Sequence, residues 1–319
     1  MNKKFAFNAF YIVDILGDKD LLSPDEIAVD NNNGKIIKLQ NNTASQLFES
    51  ISSLRLSIPI VYVKIHNLPM IYSFFKDLEK KAKHDNLIPI LHFECHGSSG
   101  EGIYLPSIRK NLSWHELSVL LIKINKNTYN NTLVVFAGCE TFNLINNIDY
   151  KNGSPFGCYI GSKSVTYDGI IKRFKDFYRS IFLYNDLNFA YSVIQDDFSL
   201  IFSCDLCLSK ILLPIVLNYF GKDRKDLIEY TINQLIKNGQ KGPISHIRKI
   251  AKHRIAHLDK YYEISSKRFL HGNNPLPFSE AKRIALHVKT SLSREAKFND
   301  ELKKAIFLKK QLAIGKLDT

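Results

Sequence analysis

Two short apolar runs, each followed closely by a reactive side chain, constrain the fold of this chain more than any other feature. The first run, Ile88–Glu94, leads to His96, and the second, Leu133–Ala137, leads to Cys139. Continuous apolar runs of this length are typical of strands buried in a parallel sheet. In open α/β sheets, ligands bind beyond the carboxyl ends of the strands. We therefore expect His96 and Cys139 to meet at one edge of a sheet, as a thiol nucleophile and its base require.

Apolar runs and amphipathic segments alternate along the first two thirds of the chain, which predicts a mainly parallel sheet with helices on both faces. The predicted strands are Phe5–Leu16, Ile58–Ile65, Ile88–Glu94, Leu133–Ala137 and Cys158–Ser162. The predicted helices are Thr43–Leu54, Leu68–His84, Ser113–Ile124, Gly169–Leu183 and Leu187–Gln195. Lys35–Leu39 reads as one arm of a hairpin, and Ile103–Pro106 as a short strand.

The character of the sequence changes near residue 196. Beyond it, lysine and arginine are dense, glycine and proline separate amphipathic segments, and no further clear strand is predicted. The apolar run Phe198–Phe220 is interrupted by charged residues and a proline, which favours a buried helix pair over a membrane span. We therefore predict an α/β domain over residues 1–195 and a helical, basic C-terminal part over residues 196–319.

Three segments of the α/β part carry a family resemblance. They read HFECHGSSGEGIYLPS from His92, LVVFAGCET from Leu133, and PFGCYIGSKSVTYDGIIKRFKDFY from Pro155. A strand ending in His-Gly, a short hairpin, a helix, a strand ending in Cys, a further strand, an acidic turn and a helix bearing Phe-Tyr follow in order. This stretch resembles the caspase-like (clan CD) cysteine peptidases, most closely those of the CHAT-domain type, over about Ile58–Tyr191.

The resemblance implies a caspase-like fold and a cysteine endopeptidase that cleaves a protein substrate. Cys139 would be the nucleophile and His96 its general base. The backbone N–H groups of Gly97 and Cys139 would form the oxyanion hole. Caspases carry a glutamine two residues before the nucleophile, and here that residue is Ala137, so strict cleavage after aspartate is not implied.

Two neighbouring residues compete for these roles. Cys95 precedes His96, and because successive side chains of a strand face opposite ways, it should point away from the cleft. His92, four residues earlier, should share the face of His96 and either line the cleft or pack in the core.

Three acidic residues are candidates for binding the substrate. Asp168 matches an acidic position of CHAT domains and would favour a lysine or arginine before the cut, although it could equally cap the following helix. Glu101 and Glu140 flank the reactive residues and are weaker candidates.

No cofactor and no metal are predicted, because Cys204 and Cys207 lack two further ligands at a suitable spacing. The five cysteines are odd in number and the N-terminal residues contain no long apolar segment, so we expect a cytoplasmic protein without a membrane span.

The formal net charge of +13 suits contact with nucleic acid or an acidic partner, but a lysine-rich genome would produce it as well. The resemblance further implies a regulatory partner or activator and a role in bacterial defence or cell death. A non-enzymatic caspase-fold scaffold or nucleic-acid-responsive adaptor is the main alternative, and another thiol acyl-transfer enzyme, such as an amidase, is the third.

Overall fold

The structure is a computed structural model that describes residues 7–17, 20, 42–162, 164, 172–212 and 223–291, together with the backbone of 26–29 and 36–39. The strands are β1 Ala9–Asp14, β2 Glu26–Val29, β3 Ile36–Leu39, β4 Ile60–Lys64, β5 Pro89–Glu94, β6 His96–Ser98, β7 Gly102–Leu105, β8 Lys110–Leu112, β9 Leu133–Ala137, β10 Cys158–Ser162 and β11 Phe198–Phe202. The helices are α1 Thr43–Ser52, α2 Leu68–His84, α3 Trp114–Asn127, α4 Phe174–Tyr184, α5 Leu187–Tyr191, α6 Ser203–Leu206, α7 Arg224–Lys237, α8 Ile244–Ala256, α9 Leu258–Phe269 and α10 over residues 278–291.

The chain divides into two compact units. The first comprises Met1–Asp205 with Lys267–Asn273, and the second comprises Leu206–Ser266 with Asn274–Thr319.

A six-stranded sheet forms the centre of the first unit, in the order β11-β10-β9-β5-β1-β4. β1 pairs in parallel with both β4 and β5, and β9 pairs in parallel with both β5 and β10. Every residue of β1, β5, β9 and β10 is buried, which explains their continuous apolar sequences. The prediction of a mainly parallel α/β sheet is confirmed, and its architecture is compatible with a caspase-like fold.

Helices cover both faces of this sheet, as the sequence predicts. On one face, α1, α4 and α5 pack on the side chains of alternate strand residues in a core that includes Phe10, Phe174 and Tyr178. On the other face, Phe75 of α2 stacks against Phe93, and Trp114 of α3 meets Phe136 edge to face.

Local signals set the bounds of α2 and α3. The side chain of Asn67 caps α2 by accepting the backbone N–H of Met70 at 3.0 Å, and α2 has the predicted bounds. At α3, Ser113 and Glu116 form the predicted capping box, in which each side chain accepts the backbone N–H of the other residue.

Two smaller antiparallel sheets complete the strands. β2 and β3 pair as a hairpin, which confirms the predicted second arm at residues 36–39. β6, β7 and β8 form a three-stranded sheet directly after β5, in which His96 lies opposite Tyr104. This small sheet matters for the site, because it begins at His96 itself.

The prediction that no strand follows residue 196 is wrong. β11 covers Phe198–Phe202 and pairs antiparallel with β10 at the edge of the central sheet. An apolar run shorter than two helical turns has the same pattern in a strand as in a buried helix, and the run continues without a break into helical Ser203–Leu212.

The second unit is helical in its described part. Ile232 and Leu235 of α7 pack against Ile247 and Ala251 of α8. A separate cluster joins Leu212, Tyr262, Ala281 and Ala285. In the described ranges of both units, no helix combines the length and the apolar character needed to cross a membrane.

Candidate active site

The carboxyl ends of β5 and β9 bring His96 and Cys139 together. In the parallel pairing of these strands, His92 lies opposite Val135 and Glu94 lies opposite Ala137. Beyond these strands, His96 begins β6 and Cys139 lies in the turn after β9. The backbone N–H of Cys95 lies 3.5 Å from the carbonyl oxygen of Ala137, so the two chain segments are still adjacent where they leave the sheet.

Two glycines allow the strand ends to approach closely. A Cβ atom on Gly97 would lie 2.3 Å from the carbonyl oxygen of Cys139. A Cβ atom on Gly138 would lie 2.2 Å from the carbonyl oxygen of Cys95. Real Cβ atoms do not make such contacts, so both positions require glycine, and the His-Gly and Gly-Cys dipeptides of the sequence meet backbone to backbone.

The two cysteines near the site differ in their surroundings. Cys95 is buried, and burial, with a smaller contribution from Glu94, raises the pKa of its thiol far above the ordinary range. Cys139 is only partly buried. Because the thiolate is the nucleophilic form, Cys95 is unsuited to the role.

Asp20 contacts His96 and was not predicted from the sequence. Nε2 of His96 lies 3.0 Å from both carboxylate oxygens of Asp20, and the His96 side chain is 45% exposed. The backbone N–H of Gly17 donates to Oδ2 of Asp20 at 2.6 Å, which fixes the carboxylate in the loop after β1. A carboxylate at Nε2 holds the proton there and leaves Nδ1 as the acceptor of the neutral ring.

His92 belongs to a buried network rather than to the accessible cleft. Its Nε2 lies 3.0 Å from Oε1 of Glu94, and its Nδ1 lies 2.9 Å from the hydroxyl of Tyr178. The hydroxyl of Thr43 donates to the other carboxylate oxygen of Glu94 at 2.9 Å. Of the two positions that the sequence allows for His92, lining the cleft or packing in the core, the second is correct, because His92 is fully buried.

Burial raises the pKa of Glu94, although the hydrogen bonds from His92 and Thr43 partly oppose the shift. Asp14, which lies opposite Glu94 in the β1–β5 pairing, adds to the increase.

Asp14 is itself surrounded by donors. Its carboxylate accepts hydrogen bonds from Asn42 at 2.9 Å, from Lys64 at 3.0 Å, from the hydroxyl of Tyr62, and from the backbone N–H of Leu16 at 2.9 Å. These bonds join the carboxyl ends of β1 and β4 to the start of α1. The loop that carries Asp20 leaves the sheet from this fixed point.

The turn after Cys139 has an uncommon backbone conformation. Glu140 has φ of 52°, in the left-handed region that few residues other than glycine adopt. Its backbone N–H donates to the carbonyl of Ser164 at 3.0 Å. A 3₁₀ helix, Thr141–Asn147, follows this turn.

The predicted acidic candidates have different positions. Glu140 directly follows Cys139 and is partly buried. Glu101 is exposed in the β6–β7 loop, where its carboxylate accepts from Asn111 at 2.6 Å. Asp168 lies outside the described residues.

Two other histidines lie apart from this site. His115 is exposed on α3. Nε2–H of His271 donates to the carbonyl of Ser154 at 2.7 Å, and burial lowers the pKa of His271. Within the described ranges, no group of three or more His, Cys, Asp or Glu side chains could hold a metal ion.

A scan of this chain against protein-family models and a search of the curated proteins found no match. The family resemblance therefore rests on the three sequence segments alone.

Proposed function

We propose that this chain is a cysteine endopeptidase of the caspase-like, CHAT type, with Cys139 as nucleophile and His96 as base. One observation carries the proposal. A half-exposed histidine follows β5 and a partly buried cysteine follows β9, its parallel neighbour in the sheet, and the close approach of Gly97 to Cys139 needs a glycine.

In the proposed reaction, Nδ1 of His96 takes the proton of the Cys139 thiol. The sulfur attacks the carbonyl carbon of the scissile peptide bond, and the backbone N–H groups of Gly97 and Cys139 stabilise the oxyanion that forms. His96 then returns the proton to the leaving amine as the C–N bond breaks. A water molecule, deprotonated by His96, hydrolyses the remaining thioester.

Asp20 is the positioning residue of this proposal. Its carboxylate holds Nε2–H of His96, which orients the ring and selects the tautomer in which Nδ1 accepts the thiol proton. Both of its oxygens lie at the same distance from Nε2, so a small rotation of the carboxylate keeps the contact.

The family resemblance adds four features to the proposal that do not follow from the contacts of His96, Cys139 and Asp20. They are a preference for lysine or arginine before the cut through Asp168, a regulatory partner or activator, a cytoplasmic location and a role in bacterial defence. The non-enzymatic adaptor and the amidase remain the alternatives.

Cleavage of a proteome-derived peptide library tests the proposed reaction. We expect new termini with the wild type, enriched in lysine or arginine before the cut, and none with Cys139→Ala. Turnover of small amides without any peptide cleavage would support the amidase. Identical peptide mixtures from the two proteins, together with salt-dependent binding of nucleic acid, would replace the peptidase with the adaptor.

A further inference from the structure

A groove in the second unit is lined mainly by cationic side chains. It lies between the start of α7 and the middle of α8, and its volume is about 400 Å³. Four cations and two carboxylates line it: Arg224, Lys225, Arg248 and Lys252 with Asp223 and Glu229. Of the described residues in its walls, Ile228 alone is apolar, and none is aromatic.

Both carboxylates of the groove already have partners. Glu229 accepts a hydrogen bond from Arg248 at 2.9 Å. Asp223 caps the start of α7 by accepting the backbone N–H of Lys225 at 3.4 Å. With four cations against two carboxylates, the groove keeps a net positive charge that an anion would neutralise.

The positive surface continues along α8 beyond the groove. Between Ile244 and Ala256 this helix carries two arginines and two lysines and no aspartate or glutamate. Lys249 is exposed on it, outside the groove, whereas Arg254 lies over the ring of Tyr261, 5.4 Å from its centroid. Together with the groove cations of α7, this surface carries more positive charges than a single phosphate group needs.

The basic composition of the whole chain does not by itself explain why α8 has no acidic residue. α2 is also rich in lysine, but it intersperses its lysines with Asp77 and Glu79, and Lys81 pairs with Asp77 at 2.7 Å. In the first unit, the lysine-rich helix α2 therefore carries both positive and negative side chains, whereas α8 carries only positive ones.

We propose that this groove and the adjoining face of α8 bind the phosphate backbone of nucleic acid. Lysine and arginine neutralise phosphates without reading sequence, and several cations spread over two helices suit a polymer better than a small anion. Because no aromatic side chain lines the described walls, stacking of a base is not expected to contribute. The proposal is independent of the peptidase reaction.

Fluorescence anisotropy of the full chain with labelled oligonucleotides tests it. Single-stranded RNA and duplex DNA of about 30 nucleotides per strand are titrated between about 50 and 200 mM salt. If about three to four phosphates are neutralised, log K falls with log salt concentration with a slope of about −3. Tighter binding of RNA or of DNA identifies which polymer is preferred, and either supports the proposal.

Charge-reversed variants locate the binding surface. We expect Arg224→Glu with Lys252→Glu to weaken binding at least about tenfold and to reduce the salt slope by about 2. Lys260→Glu makes the same kind of change at an exposed position of α9 outside the groove, and should alter affinity less than about twofold. Circular dichroism and thermal unfolding of each variant establish that it is folded.

Three outcomes would overturn the proposal. The first is no binding of either polymer at the lowest salt concentration. The second is binding that the groove variants leave unchanged. The third is competition by polyglutamate as effective as that by unlabelled nucleic acid, which would assign the groove to an acidic protein.

Discussion

His92 of β5 and His96 at the start of β6 are four residues apart, and both contact a carboxylate at Nε2, at 3.0 Å. His92 is fully buried, and its second ring nitrogen is bonded to Tyr178. The side chain of His96 is half exposed, and its carboxylate comes from a loop. The same pair of groups is therefore buried in the core in one place and open to solvent in the other.

Cys95 and Cys139 show the same contrast between a buried side chain and one that is partly exposed. Burial keeps Cys95 as a neutral thiol, while Cys139 reaches the surface beside His96. Access to solvent, rather than residue type, distinguishes His96 and Cys139, the proposed catalytic pair, from buried His92 and Cys95. Each substitution below changes either the surroundings of His96 and Cys139 or one of their buried neighbours.

The largest effect is expected from Gly97→Ala. The added methyl group would meet the Cys139 carbonyl at 2.3 Å and push the two strand ends apart. A displacement of about 1 Å can cost about 100-fold in rate, so alkylation of Cys139 by iodoacetamide should slow by about that factor. Gly100→Ala is the matched control, because a Cβ atom there meets nothing within 4 Å. Equal rates for the two variants would show that the close approach is unimportant.

Asp20→Asn should slow the same alkylation by about 10-fold to 100-fold. An asparagine can turn its amide group toward Nε2 and donate, which favours the wrong tautomer of His96. Nitrogen NMR of ¹⁵N-histidine-labelled protein should show the Nε2–H tautomer in the wild type and a mixture in the variant. Asp20→Glu should restore part of the rate. An unchanged spectrum in Asp20→Asn would remove the positioning role.

Glu94→Gln removes the charge of a buried carboxylate but keeps a carbonyl oxygen that can accept a hydrogen bond from Nε2 of His92. Burial raises the pKa of Glu94 in the folded state, so the folded state binds this proton more tightly than the unfolded state does. The free energy of unfolding of the wild type should therefore fall, relative to that of Glu94→Gln, as the pH rises above the ordinary carboxyl value of 4.5.

Urea unfolding between about pH 4 and pH 7 measures this difference. Glu49→Gln is the control, since Glu49 is exposed on α1. A difference between wild type and Glu94→Gln that stays constant with pH would contradict the assignment of Glu94 to the buried network.

The smallest effect is expected from Cys95→Ala. Because the Cys95 thiol is buried and neutral, its removal should leave the alkylation rate of Cys139 within about twofold of the wild-type rate. Loss of labelling in this variant, at unchanged thermal stability, would mean that Cys95 is the reactive thiol.

The sequence predicts the parts of the fold that have a regular pattern. α2 and β10 have the predicted bounds, because an amphipathic helix with a cap and a continuous apolar strand are unambiguous. β8 was missed, since a three-residue strand reading Lys-Asn-Leu has no apolar pattern. β11 was missed for the opposite reason, because it lies within a longer apolar run.

Of the site, the sequence indicates His96 and Cys139 but gives no local signal for Asp20. Asp20 and His96 are 76 residues apart, and they meet only because β1 lies next to β5 in the sheet. The acidic residues that follow the first strand would have been the signal, had the strand order been known. His92 and His96 are four residues apart, so the sequence predicts the same orientation for both side chains. It does not indicate that only His96 is exposed to solvent.

Labelling with a peptide acyloxymethyl ketone, followed by intact mass, tests the central claim most directly. Probes with lysine, arginine, leucine or aspartate in the leading position are compared on the wild type, Cys139→Ala, His96→Ala and Cys95→Ala. We expect one adduct on the wild type that is absent from Cys139→Ala, strongly reduced in His96→Ala and retained in Cys95→Ala. Labelling that survives Cys139→Ala, or that is as fast in His96→Ala as in the wild type, would contradict the pairing of Cys139 with His96.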